Sequence, residues 1–531
     1  MPAAAKSLSL FALVVFTVVS LALAAYYRFP SLGERPMHTD EAILAMKSAE
    51  FQETGHFAYD PKDFHGPGLH YITRVWAKLA GWGDVTTWSE ASLRKVTVMC
   101  SLLLLLCTLL LRDGLGRLAT GYAMLFMAVA PMEVFYARYF IMEVPLVLFV
   151  TLSIAALWRW SQGGSTVWLV VAGAALGFQH ATKETFILNI AAAAVGMAAA
   201  KLIVGDFAPR QTGFSMGTRK KRAAKPWLWV LVAAVLTSVT LYSGFFHDWQ
   251  AVKDSALTYL NYLQRSEGSG HEKPWHYYIT LIFYRKDTIV WSEAMIGTLA
   301  LVGIVHAFIG NHMRNPARQA FLVFLSVYAL ALFGIYSFLA YKTPWSILSG
   351  EHALILLAGV GAAAISQAIK GGVLRLVFRI AIAVGLYHLV FQTSFAIHRY
   401  AADPRNPYVY SHTSSSLMRL RPKVRELQKI APDDAFNILV VNRDAGWPLP
   451  WYWRDIKSVT YTSDLPEVLD ARIIVAEPGM EAAIKAKLGD KPYVKEGGPY
   501  GLRPGVLLDM WVEKSLWERS ELNKQQEATS R

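Results

Sequence analysis

A chain of 531 residues with 54% hydrophobic and 17% charged side chains is too apolar for an ordinary soluble enzyme. The formal net charge of +13 raises nucleic acid as a partner, but its placement argues against one. A dense cluster (Arg210, Arg219, Lys220, Lys221, Arg222, Lys225) lies between two apolar runs, where a cytoplasmic loop facing acidic headgroups retains positive charge.

The apolar residues fall into runs long enough to cross about 30 Å of hydrocarbon as helices. The first, 8–27, follows Lys6 and reads as a retained anchor with a cytoplasmic amino end rather than a cleaved signal peptide. The others lie near 92–111, 118–135, 143–159, 166–181, 184–204, 227–246, 288–309, 320–340, 345–367 and 377–397. Counted with alternating sides, these eleven crossings put Arg112, Arg117, Arg159, the 205–226 cluster, Arg314, Arg318, Lys370 and Arg375 inside, in accord with the positive-inside rule. Residues 28–91, 247–287 and everything after about 398 then lie outside the cell's inner (plasma) membrane. Cys100 and Cys107 share one run, about 10 Å apart along a helix, too far for a mutual disulfide.

Within the outer segment, 40–54 reads as a helix with Ala42, Ile43, Ala45, Met46 and Ala49 as its apolar stripe and Thr39 as N-cap. The stretch 69–79 is too short to span and suits the interface, and Trp82, Trp88, Trp275, Trp291 and Trp345 suit the headgroup belt. Residues 1–399 therefore form a membrane domain. After 400 the texture changes to polar turns and short β-rich pieces at 436–441, 458–462, 472–476 and 506–512, with helices near 416–430 and 479–488. Residues 400–520 read as a small extracytoplasmic α/β domain, and 521–531 as a disordered tail.

The residues able to carry chemistry cluster at the outer face. Asp40 and Glu41, after His38, begin the juxtamembrane helix; the dipole favours them as caps, and low dielectric makes an idle carboxylate there expensive. The stretch Tyr59-Asp60-Pro61 precedes Phe64-His65-Gly66-Pro67, a turn whose histidine suits an anion, a metal or its own backbone. Arg138 and Glu143 flank a tight connection, either bridging to each other or meeting an anionic group. Lys183, and Lys342 in Tyr341-Lys342-Thr343-Pro344-Trp345, sit in short outer connections against the positive-inside bias, which calls for a local anion. Acids (Asp40, Glu41, Glu143) beside cations (Arg138, Lys183, Lys342, His65) suit a reaction on a phosphate-bearing lipid headgroup, a carboxylate taking the acceptor's proton while the cations stabilise the departing phosphate. His38, Tyr59, Tyr341 and Trp345 complete the substrate-binding set. Asp40, His65 and Glu143 also offer ligands for a divalent metal ion, although no metal site is required.

In these motifs the chain resembles the GT-C membrane glycosyltransferases, the superfamily of protein O-mannosyltransferases and the aminoarabinose transferase of lipid A. The matching pieces are His38-Thr39-Asp40-Glu41, Ala137-Arg138 with Glu143, Thr182-Lys183 and Lys342-Thr343-Pro344-Trp345. It is most similar to the prokaryotic branch named flippase-activity-associated proteins, which carries similar Tyr-Asp-Pro, Phe-His-Gly-Pro and Tyr-Lys-Thr-Pro-Trp stretches and a similar Trp447-Pro448-Leu449-Pro450-Trp451-Tyr452. The resemblance implies a polyprenyl-phosphate-linked sugar donor, inversion at the anomeric carbon, Asp40 as the catalytic acid and Glu143 in the place of a second one. The acceptor stays open among glycan, protein and lipid.

The expected fold is thus mainly α, a GT-C-like polytopic bundle of about eleven spans with a small α/β domain. The competing reading is a transporter, flippase or flippase accessory for lipid-linked saccharides without catalysis, which would keep charged groups near mid-bilayer. The span centres read as almost free of Asp, Glu, Lys and Arg, which favours the enzyme. The aromatic cluster Trp447, Trp451, Tyr452 and Trp453, with Arg454 and Asp455, suits either stacking on sugar rings or a domain core.

Overall fold

The computed structural model describes residues 9–62, 65–205, 225–265, 271–286, 289–309, 315–431, 436–443 and 446–529. Lys6, Phe64, Arg210, Arg219, Lys220, Lys221, Arg222 and Arg314 lie outside the described residues.

All eleven apolar runs are helical. In chain order the membrane part comprises α1 (Leu10–Arg28), α2 (Thr39–Thr54), α3 (Gly68–Leu79), α4 (Glu90–Cys107), α5 (Arg112–Leu115), α6 (Arg117–Val129) and α7 (Pro131–Ala137). It continues with α8 (Glu143–Ser161), α9 (Val167–His180), α10 (Phe186–Ile203), α11 (Pro226–Tyr242), α12 (Trp249–Arg265) and α13 (Tyr277–Phe283). A short hairpin, β1 (Arg285–Lys286) and β2 (Val290–Trp291), leads to α14 (Ala294–Ile309), α15 (Pro316–Phe338), α16 (Leu348–Ala368) and α17 (Gly372–Ser394). Among the described residues, seven helices are long and apolar enough to cross a membrane, or eight if the bent pair α6–α7 is one span. The remaining three of the eleven apolar runs form the shorter apolar helices Val167–His180, Pro226–Tyr242 and Ala294–Ile309. Pro131 has no N–H to continue the ladder, and α6 and α7 meet at 59°.

Small residues let the bundle close. A Cβ at Gly361 would meet Leu299 O at 1.9 Å and one at Gly303 would meet Leu357 O at 2.1 Å, so α14 and α16 lie backbone to backbone. Helix α6 packs between α1 and α16, and α9 between α8 and α11. At the rim where α1 ends, here the upper rim, the first turns of α2 and α4 meet the end of α7. At the lower rim Arg159 pairs with Asp113 at 2.6 Å and Arg318 donates to Leu115 O at 2.7 Å, so part of the basic inward set is tied into loop backbone.

Helix α2 begins as expected, but its N-cap is His38, not Thr39. The His38 ring accepts the Asp40 N–H at 3.0 Å, and the Glu41 carboxylate accepts the His38 N–H at 3.0 Å, closing a capping box. The aromatic belt also needs correction: Trp88, Trp291 and Trp345 are buried in the protein, and only Trp275 of the five is fully exposed. The connections here are thick enough to enclose them.

The C-terminal part adds α18 (Leu420–Ile430), β3 (Ile438–Val441), α19 (Leu449–Tyr452), β4 (Val459–Thr462), β5 (Ile473–Ala476), α20 (Glu481–Leu488), β6 (Tyr493–Lys495), β7 (Tyr500–Arg503), β8 (Val506–Glu513) and α21 (Lys514–Thr529). The sheet runs β4-β3-β5-β8-β6, with β7 pairing β8; β3 is parallel to β4 and β5, and β8 is antiparallel to β5. Strand alternation divides it cleanly. Ile438, Val440, Ile473 and Val475 join the core continuous with the bundle, whereas Leu439, Val441, Ile474 and Ala476 form a second core under α20. The tail expected to be disordered from residue 521 is instead helical to Thr529. It is rich in good helix formers, and Ser520 and Lys524 hold it to Glu426 of α18.

Candidate active site

Asp40 and Glu41 are adjacent in sequence and opposite in surroundings. One residue of helix turns the side chain by about 100°, which carries Glu41 into the protein and leaves Asp40 at its surface. The Glu41 carboxylate has no exposure. It takes two bonds from Arg94, both at 2.8 Å, one from Arg35 at 3.0 Å and one from the Phe140 N–H at 2.9 Å, besides the cap bond to His38. Burial would raise this carboxyl, but the Arg35 and Arg94 guanidiniums outweigh it and hold it well below the usual carboxylate range. Both oxygens are saturated, so Glu41 leaves the set of acids able to take a proton and becomes a structural anion. Asp40, by contrast, has a side chain 51% exposed, and its carboxylate lies 3.8 Å from the His38 ring nitrogen that accepts its own N–H.

Around this corner the buried polar groups form one knot. Arg138 donates to the carbonyls of Tyr27, Arg28 and Pro30 at 2.7–3.1 Å and caps α1, a fixed cation on a helix C-terminus. It neither bridges Glu143 nor stands free for a phosphate, which corrects both readings of it. It lines a cavity of only about 10 Å³ with Arg35, Arg94 and Tyr139, and neither Asp40 nor Lys342 shares those walls. Glu143 pairs instead with Lys183, both buried in the turn beyond. Because Glu41 holds the N–H of Phe140, the first turn of α2 is tied to the loop that carries Glu143.

His65 also differs from expectation. Its Nδ1 lies 2.7 Å from Glu184, a buried acid, and the His65 ring outweighs burial to hold the Glu184 carboxyl below its ordinary value. Asp40, His65 and Glu143 therefore do not converge, and among the described residues no group of three His, Cys, Asp or Glu is arranged to hold a metal ion. Tyr59 stacks edge-on against Tyr242 at 5.0 Å, and burial pushes its hydroxyl up to about 12. Lys342 is buried beneath the loop that precedes α13: its ammonium donates to the carbonyls of Leu339 and Lys273, the latter at 3.1 Å. Tyr341 beside it is partly exposed and lies against His271. Trp345 is edge-on to His38 at 5.6 Å and to Tyr136 at 6.0 Å.

Residues that sequence reading missed complete the corner. Asn406–Thr413, the strap between α17 and the C-terminal domain, threads it with alternating contacts. Tyr408 donates to Glu293 at 2.7 Å, the Tyr410 carbonyl meets His38 Nε2 at 3.1 Å, and His412 lies 2.6 Å from Arg35 and 2.7 Å from the Tyr139 hydroxyl. Since His38 Nδ1 accepts the Asp40 N–H, its Nε2 carries the hydrogen that Tyr410 receives, which fixes the tautomer. Burial, with Arg35 and His38 alongside, drives the His412 ring well below the usual histidine range and keeps it neutral.

Buried ionisable groups also gather at the upper ends of three spans. Glu133 of α7, Glu293 at the head of α14, and Glu351 and His352 of α16 are all buried. Glu133 pairs with His352 Nδ1 at 2.8 Å, and Glu293 accepts the orphan Met132 N–H at 3.0 Å at the α7 break. The carboxyl of Glu351 faces that of Glu293 within hydrogen-bonding reach, a contact that one shared proton satisfies.

Residues 80–253 match the family model of dolichyl-phosphate-mannose-protein mannosyltransferase. ArnT from Cupriavidus metallidurans in the apo state superposes with a TM-score of 0.60 at 16% identity, covering 94% of this chain and 97% of that one. The same protein bound to undecaprenyl phosphate gives 0.59 at 17% identity over the same shares. The chain has a GT-C-like fold. The Archaeoglobus fulgidus oligosaccharyltransferase in the apo form follows, with a TM-score of 0.56 at 12% identity over 92% of this chain and 73% of its own. No curated protein matches in sequence. In this GT-C-like fold the upper rim with Asp40 is where the bundle meets the C-terminal domain: Trp451 Nε1 donates to Glu90 at 3.0 Å and the Met37 N–H to the Tyr452 hydroxyl at 2.8 Å.

Proposed function

We propose that the protein is an integral membrane glycosyltransferase that moves a sugar from a polyprenyl-phosphate donor to a hydroxyl acceptor at the extracytoplasmic face, inverting the anomeric carbon. Three findings support the class: the mannosyltransferase family match, the GT-C-like fold, and the relative that binds undecaprenyl phosphate. One observation carries the mechanism. Asp40 is an exposed carboxylate at the start of a juxtamembrane helix, its backbone N–H held by the His38 ring, while its neighbour Glu41 is fully occupied.

Asp40 takes the proton of the acceptor hydroxyl, whose oxygen attacks the anomeric carbon from the side opposite the phosphate. The bond from the anomeric carbon to the phosphate oxygen breaks, and polyprenyl phosphate leaves with the electron pair. As a weak base it needs no general acid, so one carboxylate suffices. Lys183, held by Glu143, supplies positive charge to the departing phosphate, and Lys342 adds to it from beneath the chain that precedes α13.

Membranes with and without the full-length protein, given a panel of radiolabelled polyprenyl-phosphate hexoses and pentoses, test the assignment. Protein-dependent transfer with inverted anomeric configuration is expected; no donor consumption, or retention of configuration, contradicts it. The buried group of Glu133, Glu293, Glu351 and His352 favours a second reading, translocation of a lipid-linked saccharide, because ionisable clusters inside spans mark transport paths. That reading predicts lipid flipping in proteoliposomes abolished by Glu351→Gln, with no label transfer.

A further inference from the structure

We propose that the groove between α2 and the C-terminal domain is the acceptor site, and that the acceptor is a saccharide. This rests on the reading of Asp40 as base and assigns the half of the reaction that the donor chemistry leaves open.

The groove has a volume of about 400 Å³, within the range of small-molecule sites. One wall is α2, with Ile43, Lys47 and Glu50 presented to it; the other is the domain, with Trp447 and Arg454. Helical spacing ties the groove to the chemistry. Ile43, Lys47 and Glu50 form the edge stripe of that wall, and Asp40, which does not itself line the groove, lies at its margin about 4.5 Å before Ile43 along the axis. A ligand lying along that stripe delivers its end to the exposed carboxylate.

The lining selects the class of ligand. The stretch 447–455 offers several aromatic rings, and the structure separates them: Trp451, Tyr452 and Trp453 are buried, whereas Trp447 is half-buried and lines the groove. Its ring offers the flat apolar surface on which the C–H face of a sugar stacks, while nearby charged groups bond its hydroxyls. Arg454 is held rigidly, donating to Trp451 O at 2.7 Å and Thr86 O at 3.0 Å, and its buried Nε–H lacks a partner among the described residues. Glu50 and Glu53 on the opposite wall repel a polyanion, and Ile43, Met46, Ala49 and Val85 add apolar surface for the C–H faces of a sugar between the charged groups. A polyhydroxylated ligand satisfies all of these groups.

The test uses membranes carrying the full-length chain, a radiolabelled polyprenyl-phosphate sugar and the endogenous acceptor, with products separated into saccharide, peptide and lipid fractions. Label is expected in a saccharide chain. Trp447→Ala should lower transfer at least tenfold while release of free sugar by water changes less than twofold, and Trp447→Phe should retain at least half the transfer. The double substitution Glu50→Gln with Glu53→Gln, at exposed positions that leave the fold intact, should reduce transfer in the same selective way. Label on a peptide or on a lipid carrying no further saccharide, or wild-type transfer by both Trp447→Ala and the double variant, overturns the assignment. Absence of both transfer and hydrolysis in the wild type defeats the enzymatic reading itself and is thereby distinguished from a misplaced acceptor.

Discussion

The knot around Glu41 and the open face of α2 at Asp40 lie one residue apart and use the same side-chain chemistry for opposite ends. In the knot every polar group is engaged: Glu41 with Arg35 and Arg94, Arg138 with the end of α1, His412 between Arg35 and Tyr139. At the open face Asp40 keeps its oxygens half in solvent, with only the His38 ring set beside it. A fully bonded carboxylate has no lone pair to offer a substrate proton, and an exposed one gives no rigidity, so the pair divides the labour. The knot holds α1, α2, α4 and the strap in place, and Asp40 is left free to react.

Breaking the knot should cost stability first. Glu41→Gln leaves Arg35 and Arg94 buried without their anion and should destabilise the protein by about 3–5 kcal/mol, measured by thermal unfolding in detergent. An unchanged midpoint would show that the knot is not structural. Arg138→Ala strips the cap from α1 and should cost about 2–4 kcal/mol, with the apparent affinity for donor unchanged in whatever protein remains folded. A donor-specific defect in a fully stable protein would restore its phosphate role.

Acid should loosen the same region. Burial pulls the His70 ring down to about 3, so it is neutral in the fold, whereas the unfolded chain takes up a proton near pH 6.5. The stabilisation is therefore complete above pH 6.5 and is lost as pH falls toward 3, by about 2 kcal/mol on reaching pH 5. The His70→Gln variant should flatten this part of the stability profile, and an equally steep profile would contradict it. The smallest effect belongs to the buried Lys183–Glu143 pair. Lys183→Ala should weaken donor use about tenfold, roughly 1.4 kcal/mol, with acceptor use little changed; the reverse pattern would remove it from the phosphate.

Much of this frame was legible in the sequence. The apolar runs located the membrane helices among the described residues, and short β-rich stretches located β3, β4, β5 and β8, because both signals are local. The pairing of charges was not legible. Arg35 meets His412 across 377 positions, and Glu41 meets Arg94 across 53, separations that spacing rules do not reach. Adjacent acids at a helix start looked alike, since composition does not reveal which side of the helix meets the protein. Short outer cations looked like free phosphate binders because the carbonyls they cap carry no sequence signature. The acids Glu133, Glu293 and Glu351 went unread among long apolar neighbours, although the proline break before α7 marked an exposed N–H needing a partner.

The most direct test compares Asp40→Asn with the wild type for label transfer from the polyprenyl-phosphate sugar, at equal amounts of inserted protein. The account predicts a loss of about 10²–10⁴-fold, the range of general base catalysis, with thermal stability unchanged because the Asp40 side chain takes no part in the knot. Transfer by Asp40→Asn at the wild-type rate would contradict it.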